Sequence, residues 1–429
     1  MNTPDSLTPS RRSFLKSSAA TAAAVSVATH AHAQGSGKLK LGLVGCGGRG
    51  TGAANQALSA DPEVELYAMA DAFAPNLQNS LKNLSNNRPA EAINCPEERQ
   101  FTGLDAFQKV LDSGVDVVVL ATPPGFRPAQ LRAAVEAGKH VFCEKPMAVD
   151  AAGARSVIAT AKMAKEKNLN LVSGFCWRSS NSRREAFQQV LDGSIGDVTS
   201  IYATYYTGPV KPMPPADSRP AGMGDVEWQI RNWYNFSWLS GDSLVEQAVH
   251  SVDKIGWATG DRLAVSAVAV GGRQKPANGG NIYDHFSIVY QFDNGVRATM
   301  ASRQIPGCFG ENADFVTGTK GELTVGKGAR PYIKGEKSWR FKGENNDMYQ
   351  TEHDRLFAAI RSGETINEGE WMINSCLLAI MGRMAAYTGQ MVTAEQMMNS
   401  KEDLAPDGLN FDDEFTPSPL PIPGQTKLI

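Results

Sequence analysis

The chain has 429 residues, of which 42 are basic and 45 acidic, and its formal net charge is −3. Hydrophobic residues make up 42% and charged residues 20%, which is ordinary globular usage and argues against disorder, a collagen-like repeat or a coiled coil. Because there is no basic surplus, we expect no nucleic-acid partner. The six cysteines form no C-x-x-C pair, so the sequence predicts neither a zinc ribbon nor a dense disulfide framework, and we expect no bound metal.

Residues 1–33 are predicted to be a twin-arginine signal peptide. Arg11 and Arg12 precede a short Ala-rich apolar run, and residues 31–33 form a small-x-small cleavage site. The run is too short to span a bilayer, and no later stretch is long enough, so we expect no stable membrane anchor. The predicted destination is the periplasm, reached through the twin-arginine export machinery.

Residues 34–175 alternate short apolar strands with helices. Strands are predicted at 38–44, 64–70, 115–121, 140–143 and 171–174, and helices at 51–60, 128–137 and 151–167. This alternation predicts right-handed βαβ units and a doubly wound parallel sheet, which is an α/β Rossmann domain.

The pattern changes in residues 176–400, for which we predict an α+β domain with a large open, mainly antiparallel sheet. Longer strands are predicted at 197–206, 264–271, 283–292 and 296–303, and helices at 351–360 and 372–387. Asp293-Asn294-Gly295 predicts a hairpin between the last two strands. We expect this domain to bind substrate and to form a homodimer or homotetramer. Residues 401–429 are punctuated by proline and predicted to be an extended tail on the surface.

A glycine-rich turn follows the first strand and reads Gly45-Cys46-Gly47-Gly48-Arg49-Gly50, which matches G-x-G-x-x-G. It opens a helix, and Asp71 closes the next strand, as in dinucleotide-binding folds. The helix N-terminus offers unpaired N–H groups to phosphates. A carboxylate at position 71 can bind both ribose hydroxyls and would repel a 2′-phosphate, and residues 72–76 contain no Arg or Lys. The sequence therefore predicts NAD rather than NADP.

Two further motifs extend this pattern. Ala121-Thr122-Pro123-Pro124 follows the third predicted strand, and Cys143-Glu144-Lys145-Pro146 follows the fourth. Together with Gly-Thr-Lys-Gly-Glu-Leu at 318–323, they resemble the Gfo/Idh/MocA oxidoreductases, a family that includes glucose–fructose oxidoreductase and inositol dehydrogenase. The resemblance covers residues 38–400. It implies that Lys145 lies beside the nicotinamide and the reacting hydroxyl, with Thr122, Pro123 and Glu144 at the cofactor. It also implies that Arg178 lies near the cofactor.

In the second domain, Glu246, His250 and Asp253 are spaced i, i+4 and i+7, so on a helix they share one face. The family places Asp-x-x-x-His here, and Glu246 takes the aspartate's place. The resemblance therefore implies that Lys145, His250 and Glu246 are catalytic. A Glu/His metal site and a buried histidine without chemistry remain open alternatives.

Residues 228–238 are unusually aromatic. Flat rings can pack on the C–H faces of a sugar, so we predict that this segment and two polar positions contact substrate. These predicted substrate residues are Trp228, Arg231, Tyr234, Trp238, Asp253 and His285. A small hydrophobic core in the same segment is an equally weighted alternative.

These features predict an NAD-dependent oxidoreductase acting on a secondary alcohol of a sugar or glycoside. Because export leaves no ready pool for exchange, we expect tightly bound NAD that a second sugar, such as a ketosugar, reoxidises. The main alternative is a redox-neutral, NAD-dependent glycosidase that uses transient oxidation and elimination. A nicotinamide-loaded binding protein and a metal-dependent lyase are the remaining hypotheses.

Overall fold

The structure is a computed structural model that describes residues 37–275, 278–326, 328–404 and 408–429. The signal peptide predicted at residues 1–33 lies outside the described residues.

The first domain is built on a parallel sheet with the spatial order β3-β2-β1-β4-β5-β6. Its strands are β1 (Leu39–Val44), β2 (Val64–Asp71), β3 (Gln100–Thr102), β4 (Val117–Leu120), β5 (His140–Cys143) and β6 (Leu171–Ser173). Strand β4 reads Val-Val-Val-Leu and is buried throughout, as expected for a strand covered on both faces. The predicted doubly wound sheet is confirmed. The strand order reverses between β1 and β4, the position at which such sheets bind ligands.

Helices cover both faces of this sheet. They are α1 (Gly48–Ala60), α2 (Ala74–Asn87), α3 (Ala106–Asp112), α4 (Arg127–Glu136) and α5 (Ala151–Glu166). Helix α2 was not predicted because its sequence is mostly Asn, Ser and Gln, and only a few side chains such as Leu77 and Leu84 are buried. The N-terminus of α1 lies at the glycine-rich turn.

The second domain is built on a mainly antiparallel sheet with the order β14-β13-β12-β11-β7-β10-β9-β8-β15. Its strands are β7 (Val198–Thr207), β8 (Ser266–Gly272), β9 (His285–Gln291), β10 (Arg297–Gln304), β11 (Glu311–Gly318), β12 (Gly321–Gly326), β13 (Ala329–Gly335), β14 (Trp339–Arg340) and β15 (Val392–Thr393). The predicted hairpin joins β9 and β10, whereas β10 and β7 pair in parallel. Strands β11 to β14 were not predicted as strands, because glycines and polar residues interrupt their alternation.

Helices of the second half pack on one face of this sheet and on the first domain. They are α6 (Asn181–Leu191), α7 (Asp225–Arg231), α8 (Val249–Ala258), α9 (Met348–Ser362), α10 (Gly369–Thr388) and α11 (Ala394–Met398). A π-helical turn, Leu244–Ala248, directly precedes α8. Helix α9 returns to the parallel sheet, where Leu356, Phe357 and Ile360 join the core around β1. By packing, α9 belongs to the first domain although it follows the second in sequence.

The tail at residues 408–429 is anchored to the second domain. The Gly424 N–H donates to the Thr388 carbonyl at 2.9 Å, and the Tyr283 hydroxyl donates to the Pro421 carbonyl at 2.8 Å. In the part of the chain that the structure describes, no helix has the length and apolar character to cross a bilayer.

Candidate active site

A cavity of about 820 Å³ lies between the carboxyl ends of the parallel strands and the helices of the second domain. This volume is within the range of pockets that hold small molecules and cofactors. The predicted site residues that line it are Gly45, Gly47, Gly48, Arg49, Gly50, Asp71, Thr122, Pro123, Glu144, Lys145, Tyr234, Glu246 and His250. The fold therefore brings together the motifs of both domains.

The glycine-rich turn has the geometry that its sequence predicts. Gly45 has a φ of +93°, and a Cβ added at Gly50 would lie 1.8 Å from the Gly45 carbonyl oxygen, so a side chain there would break the turn. Helix α1 begins at Gly48 and presents its free N–H groups at the cavity. Cys46 does not line the main cavity, because its thiol turns inward and donates to the Ala70 carbonyl at 3.3 Å.

Asp71 at the end of β2 is held in place by three donors. Its Oδ2 accepts from the Cys46 N–H at 2.7 Å, and its Oδ1 accepts from the Phe73 N–H at 2.9 Å and from Asn76 Nδ2 at 3.1 Å. A carboxylate has about four acceptor positions, so about one remains for a ribose hydroxyl. The fixed carboxylate beside the glycine-rich turn fits the adenosine ribose of a dinucleotide.

Arg49 lines the cavity, but its guanidinium is already bound by buried carboxylates. It donates to Glu144 Oε1 and, at 3.4 Å, to Glu352 Oε1 on α9. Glu144 Oε2 in turn accepts from the Lys145 N–H at 3.2 Å. Burial, and next the neighbouring Glu144, raise the pKa of Glu352 well above its usual range. The arrangement therefore fixes the backbone that carries Lys145.

The Lys145 amine is buried and bound by one residue of the second domain. Its Nζ donates to the Glu246 carbonyl at 2.5 Å and to Glu246 Oε1 at 2.9 Å. Glu246 lies in the π-helical turn, and such turns often occur at functional sites. Its Oε2 is buried with no partner among the described residues. An ammonium carries three protons, so one remains for a group in the cavity.

His250 lies at the same end of the cavity. Its ring is 5.0 Å from the Trp177 ring and 6.1 Å from Phe175, and its Nδ1 is buried with no partner in the part of the chain described. Burial, and then the neighbouring cations Lys145, Lys254 and Arg183, lower the pKa of His250 well below its usual value. The imidazole is therefore neutral near pH 7 and is able to accept a proton.

The aromatic segment is mostly a small core, and only part of it reaches the cavity. Tyr234 lines the cavity, and its hydroxyl donates to Gln304 Oε1 at 2.9 Å. Trp238 is buried and donates from Nε1 to Gln229 at 2.7 Å, while Trp228 packs against the same cluster. Arg231 pairs with Glu227 and lies over the Phe73 ring, 4.0 Å from its centroid. It thus lies at the Asp71 end of the site, away from Lys145.

Three other predicted site residues lie outside the cavity. Arg178 does not reach the cofactor site because its guanidinium pairs with Asp253 at 2.8 Å and with Asp261 at 2.6 Å. The Asp253 carboxylate forms this ion pair with Arg178 and also accepts a hydrogen bond from the Ser375 hydroxyl at 2.7 Å. His285 is half-exposed at the start of β9 and bonds Asp284 at 2.8 Å. These three side chains have structural partners rather than a place beside Lys145.

Several residues that line the cavity were not predicted from the sequence. They are Phe73, Arg127, Trp177, Tyr205, Gln247 and Tyr349. Trp177 and Gln247 are direct neighbours of predicted site residues, so chain position was an available signal. Tyr349 lies in the first turn of α9, whose return to the first domain has no local signal in the sequence. Arg127 is buried, its Nη1 donates to the Pro146 carbonyl at 2.7 Å, and it follows the Thr-Pro-Pro motif.

The residues present fit a pyridine dinucleotide: an open glycine turn, a helix N-terminus and a ribose-binding carboxylate meet in one cavity. Comparison with known protein families agrees. Residues 39–172 match the model described as an oxidoreductase family with an NAD-binding Rossmann fold, and residues 184–324 match the GFO/IDH/MocA C-terminal domain. The chain belongs to the Gfo/Idh/MocA oxidoreductase family. Its cofactor is NAD.

This Gfo/Idh/MocA protein is also similar to individual relatives. It is 25% identical to an inositol 2-dehydrogenase of Rhizobium meliloti (strain 1021) over 325 residues, which cover 72% of this chain and 86% of the relative. A solved levoglucosan dehydrogenase, in complex with NADH and levoglucosan, superimposes with a TM-score of 0.66 at 18% identity, covering 83% of this chain and 99% of the other. The aldose-aldose oxidoreductase of Caulobacter crescentus gives a TM-score of 0.64 at 20% identity, with the same coverage. The two structural likenesses show the fold.

Residues 8–28 match the model of a twin-arginine translocation signal sequence. The signal indicates export of this family member across the cytoplasmic membrane. Among residues 37–275, 278–326, 328–404 and 408–429, no group of three or more His, Cys, Asp or Glu side chains is arranged to hold a metal ion.

Proposed function

We propose that the protein is a periplasmic, NAD-dependent oxidoreductase that acts on a secondary alcohol of a sugar or glycoside. One observation carries the proposal. Lys145, Glu246 and His250 line the same cavity as the glycine-rich turn, and Lys145 Nζ lies 2.9 Å from Glu246 Oε1. The similarity to inositol 2-dehydrogenase and to the NADH–levoglucosan complex supports a polyhydroxylated substrate.

Lys145 binds the substrate oxygen in this proposal. Two of its amine protons are donated to Glu246, and the third is available to a hydroxyl in the cavity. A hydrogen bond from a cation strengthens as negative charge develops on that oxygen, so the contact favours the transition state over the bound alcohol. Glu246 orients the amine through its carbonyl and its carboxylate.

His250 takes the hydroxyl proton. Its neutral state, caused first by burial, makes it an acceptor before the reaction begins. When bound, NAD would supply the hydride acceptor for the carbon that carries the hydroxyl. Gly45, Gly47, Gly48 and the N-terminus of α1 would hold the pyrophosphate, and Asp71 the adenosine ribose.

Export of the protein supports the inference that its NAD stays bound throughout the reaction cycle. The Gfo/Idh/MocA domains follow a twin-arginine signal, and free nicotinamide nucleotide is not expected outside the cytoplasm. We therefore infer that a second sugar, such as a ketosugar, reoxidises the nucleotide in place. Trp177 lines the cavity and offers aromatic surface to both sugars in turn.

A screen of sugars and glycosides against the purified protein tests this proposal. Substrate should reduce the bound nucleotide, seen as the absorbance of the reduced nicotinamide, and a ketosugar should reverse it. In Lys145→Ala, turnover should fall roughly 10²- to 10⁴-fold while bound NAD is kept. Wild-type turnover in that variant would contradict the role of Lys145.

The glycosidase alternative has a different readout. Release of the aglycone from a chromogenic glycoside, without any net change in the nucleotide, would indicate transient oxidation and elimination instead of net sugar oxidation. Aglycone release that survives in Lys145→Ala would contradict both forms of nicotinamide chemistry at this site.

A further inference from the structure

We propose that the C-terminal segment 408–415 packs behind the cofactor site, where it holds Phe73 in place and so restricts opening of the adenosine end of the cavity. The inference rests on the proposed use of a retained NAD. It gives a structural reason for slow release of bound NAD from this protein.

Phe73 forms the part of the cavity wall that the tail contacts. It follows Asp71, lines the cavity and donates its backbone N–H to the Asp71 carboxylate at 2.9 Å. Its ring stacks on the Phe411 ring with a centroid distance of 5.4 Å and an interplanar angle of 23°. The Arg231 guanidinium lies 4.0 Å from the same ring's centroid. The tail and α7 therefore both fix a side chain that belongs to the first domain.

The contact is part of a separate hydrophobic cluster that we call the clamp core. It joins three distant parts of the chain: first-domain loops, the aromatic segment with α7, and the tail. Its members include Phe73, Leu104, Ile230, Trp233, Phe411 and Phe415. The first four of these six also line the cavity. The clamp core is therefore the inner wall of the cofactor site at its Asp71 end.

The tail is held tightly against α7. A Cβ added at Gly224 would lie 2.1 Å from the Phe411 carbonyl oxygen, so the tail backbone lies directly on that glycine. Gln229 Nε2 donates to the Phe415 carbonyl at 2.6 Å, and the Phe415 N–H donates to Asp225 Oδ2 at 3.3 Å.

The chain is also anchored on both sides of the clamp. The Leu404 N–H donates to Asp150 Oδ2 at 2.7 Å before it, and Asn281 Nδ2 donates to the Ser418 carbonyl at 2.9 Å after it. Opening the adenosine end requires that Phe73 move, and Phe73 cannot move freely while Phe411 is stacked on it. Release of the nucleotide is therefore slow because the segment must first detach.

The rate at which bound NAD leaves the purified full-length protein tests the inference without any sugar. The protein is loaded with NAD and transferred to nucleotide-free buffer, and the nucleotide that remains bound is measured after denaturation at successive times. Phe411→Ala should release NAD roughly two- to tenfold faster than wild type, the range expected for an aromatic pair. Phe411→Tyr, which keeps the ring, should restore slow release.

Ile422→Ala is the matched control, because Ile422 lies in the same tail, is half-exposed and is outside the clamp core. It should release NAD at the wild-type rate. Equal release rates for wild type, Phe411→Ala and Phe411→Tyr would overturn the clamp. If Phe411→Ala does not fold, Arg231→Gln provides the second test, and faster release is again expected. Since no substrate is involved, a failed sugar screen and a failed clamp are separate results.

Discussion

At the scale of single residues, the chemistry depends on how Glu246 meets Lys145. The sequence placed Glu246 where the family has aspartate, and its role could not be settled from spacing alone. The π-helical turn explains the longer side chain, since it brings the carbonyl and the carboxylate of one residue to the same amine. That turn is a tertiary feature, and no local signal in the sequence predicts it.

Shortening this side chain should uncouple the amine from its carboxylate. In Glu246→Asp the carboxylate withdraws by about 1.5 Å, one carbon–carbon bond, and the 2.9 Å contact to Lys145 is lost. We expect kcat for sugar oxidation to fall roughly tenfold or more, with NAD content unchanged. Steady-state kinetics with nucleotide analysis measures both. Full activity in Glu246→Asp would show that the contact does not orient the amine.

His353 should make stability depend on pH. It is fully buried, stacks on Phe142 at 4.1 Å, and neither ring nitrogen has a partner among the described residues. Burial, and then Arg49, lower its pKa well below the usual value. Below about pH 6.5, His353 binds a proton in the unfolded chain but stays neutral in the folded protein. The free energy of unfolding therefore falls as pH falls.

Replacing this histidine should remove that part of the pH dependence. For a histidine that stays neutral when folded, the loss between pH 7.5 and 5.5 is about 1.4 kcal/mol. His353→Phe should therefore lose less stability over this interval than wild type, as measured by denaturant unfolding at both pH values. An identical loss in the two proteins would contradict a neutral, buried His353.

At the scale of elements, Arg178 joins the loop after β6 to α8 and α10. Its guanidinium pairs with Asp253 on α8 and lies 4.3 Å from the Trp371 ring of α10 and 4.7 Å from that of Trp257. Family resemblance predicted a cofactor contact from the position of this residue in the chain. The side chain instead holds two helices behind the site, which depends on packing that a motif does not encode.

Removal of this cation should therefore affect folding first. Arg178→Met leaves the buried Asp253 carboxylate without its partner, which typically costs about 3–5 kcal/mol. We expect a clear fall in the unfolding midpoint, and a smaller one in Arg178→Lys. Normal stability combined with loss of bound NAD would instead place the guanidinium at the cofactor.

At the scale of the whole molecule, the features predicted correctly from the sequence are those that depend on residues close together in the chain. The glycine-rich turn, Asp71 and the alternating elements each have a local signal, so the parallel sheet and its cofactor edge were predictable. The crossing of α9 and the clamp core join residues far apart in sequence. The cavity wall at Tyr349 and Phe73, and the stacking of Phe411 on Phe73, could therefore be found only from the structure.

The outer face of the second sheet is relevant to assembly. Val268 and Val270 on β8 are 47% and 70% exposed, and Val289, paired with Val268 across the sheet, is 36% exposed. An exposed apolar group of this kind favours association. We expect a homodimer or homotetramer whose mass, measured by light scattering, falls in Val270→Lys. Leu191→Lys on α6, 48% exposed, is the control and should not change the mass. A monomeric wild type would contradict this prediction.

The central claim is that a hydride moves between a sugar carbon and NAD held at the glycine-rich turn beside Lys145. The most direct measurement uses a substrate from the screen that carries deuterium on the reacting carbon, followed by mass spectrometry of the nucleotide extracted from the protein. We predict one deuterium in the reduced nucleotide from wild type and far less from Lys145→Ala. Turnover of the substrate with no deuterium in the nucleotide would contradict the account.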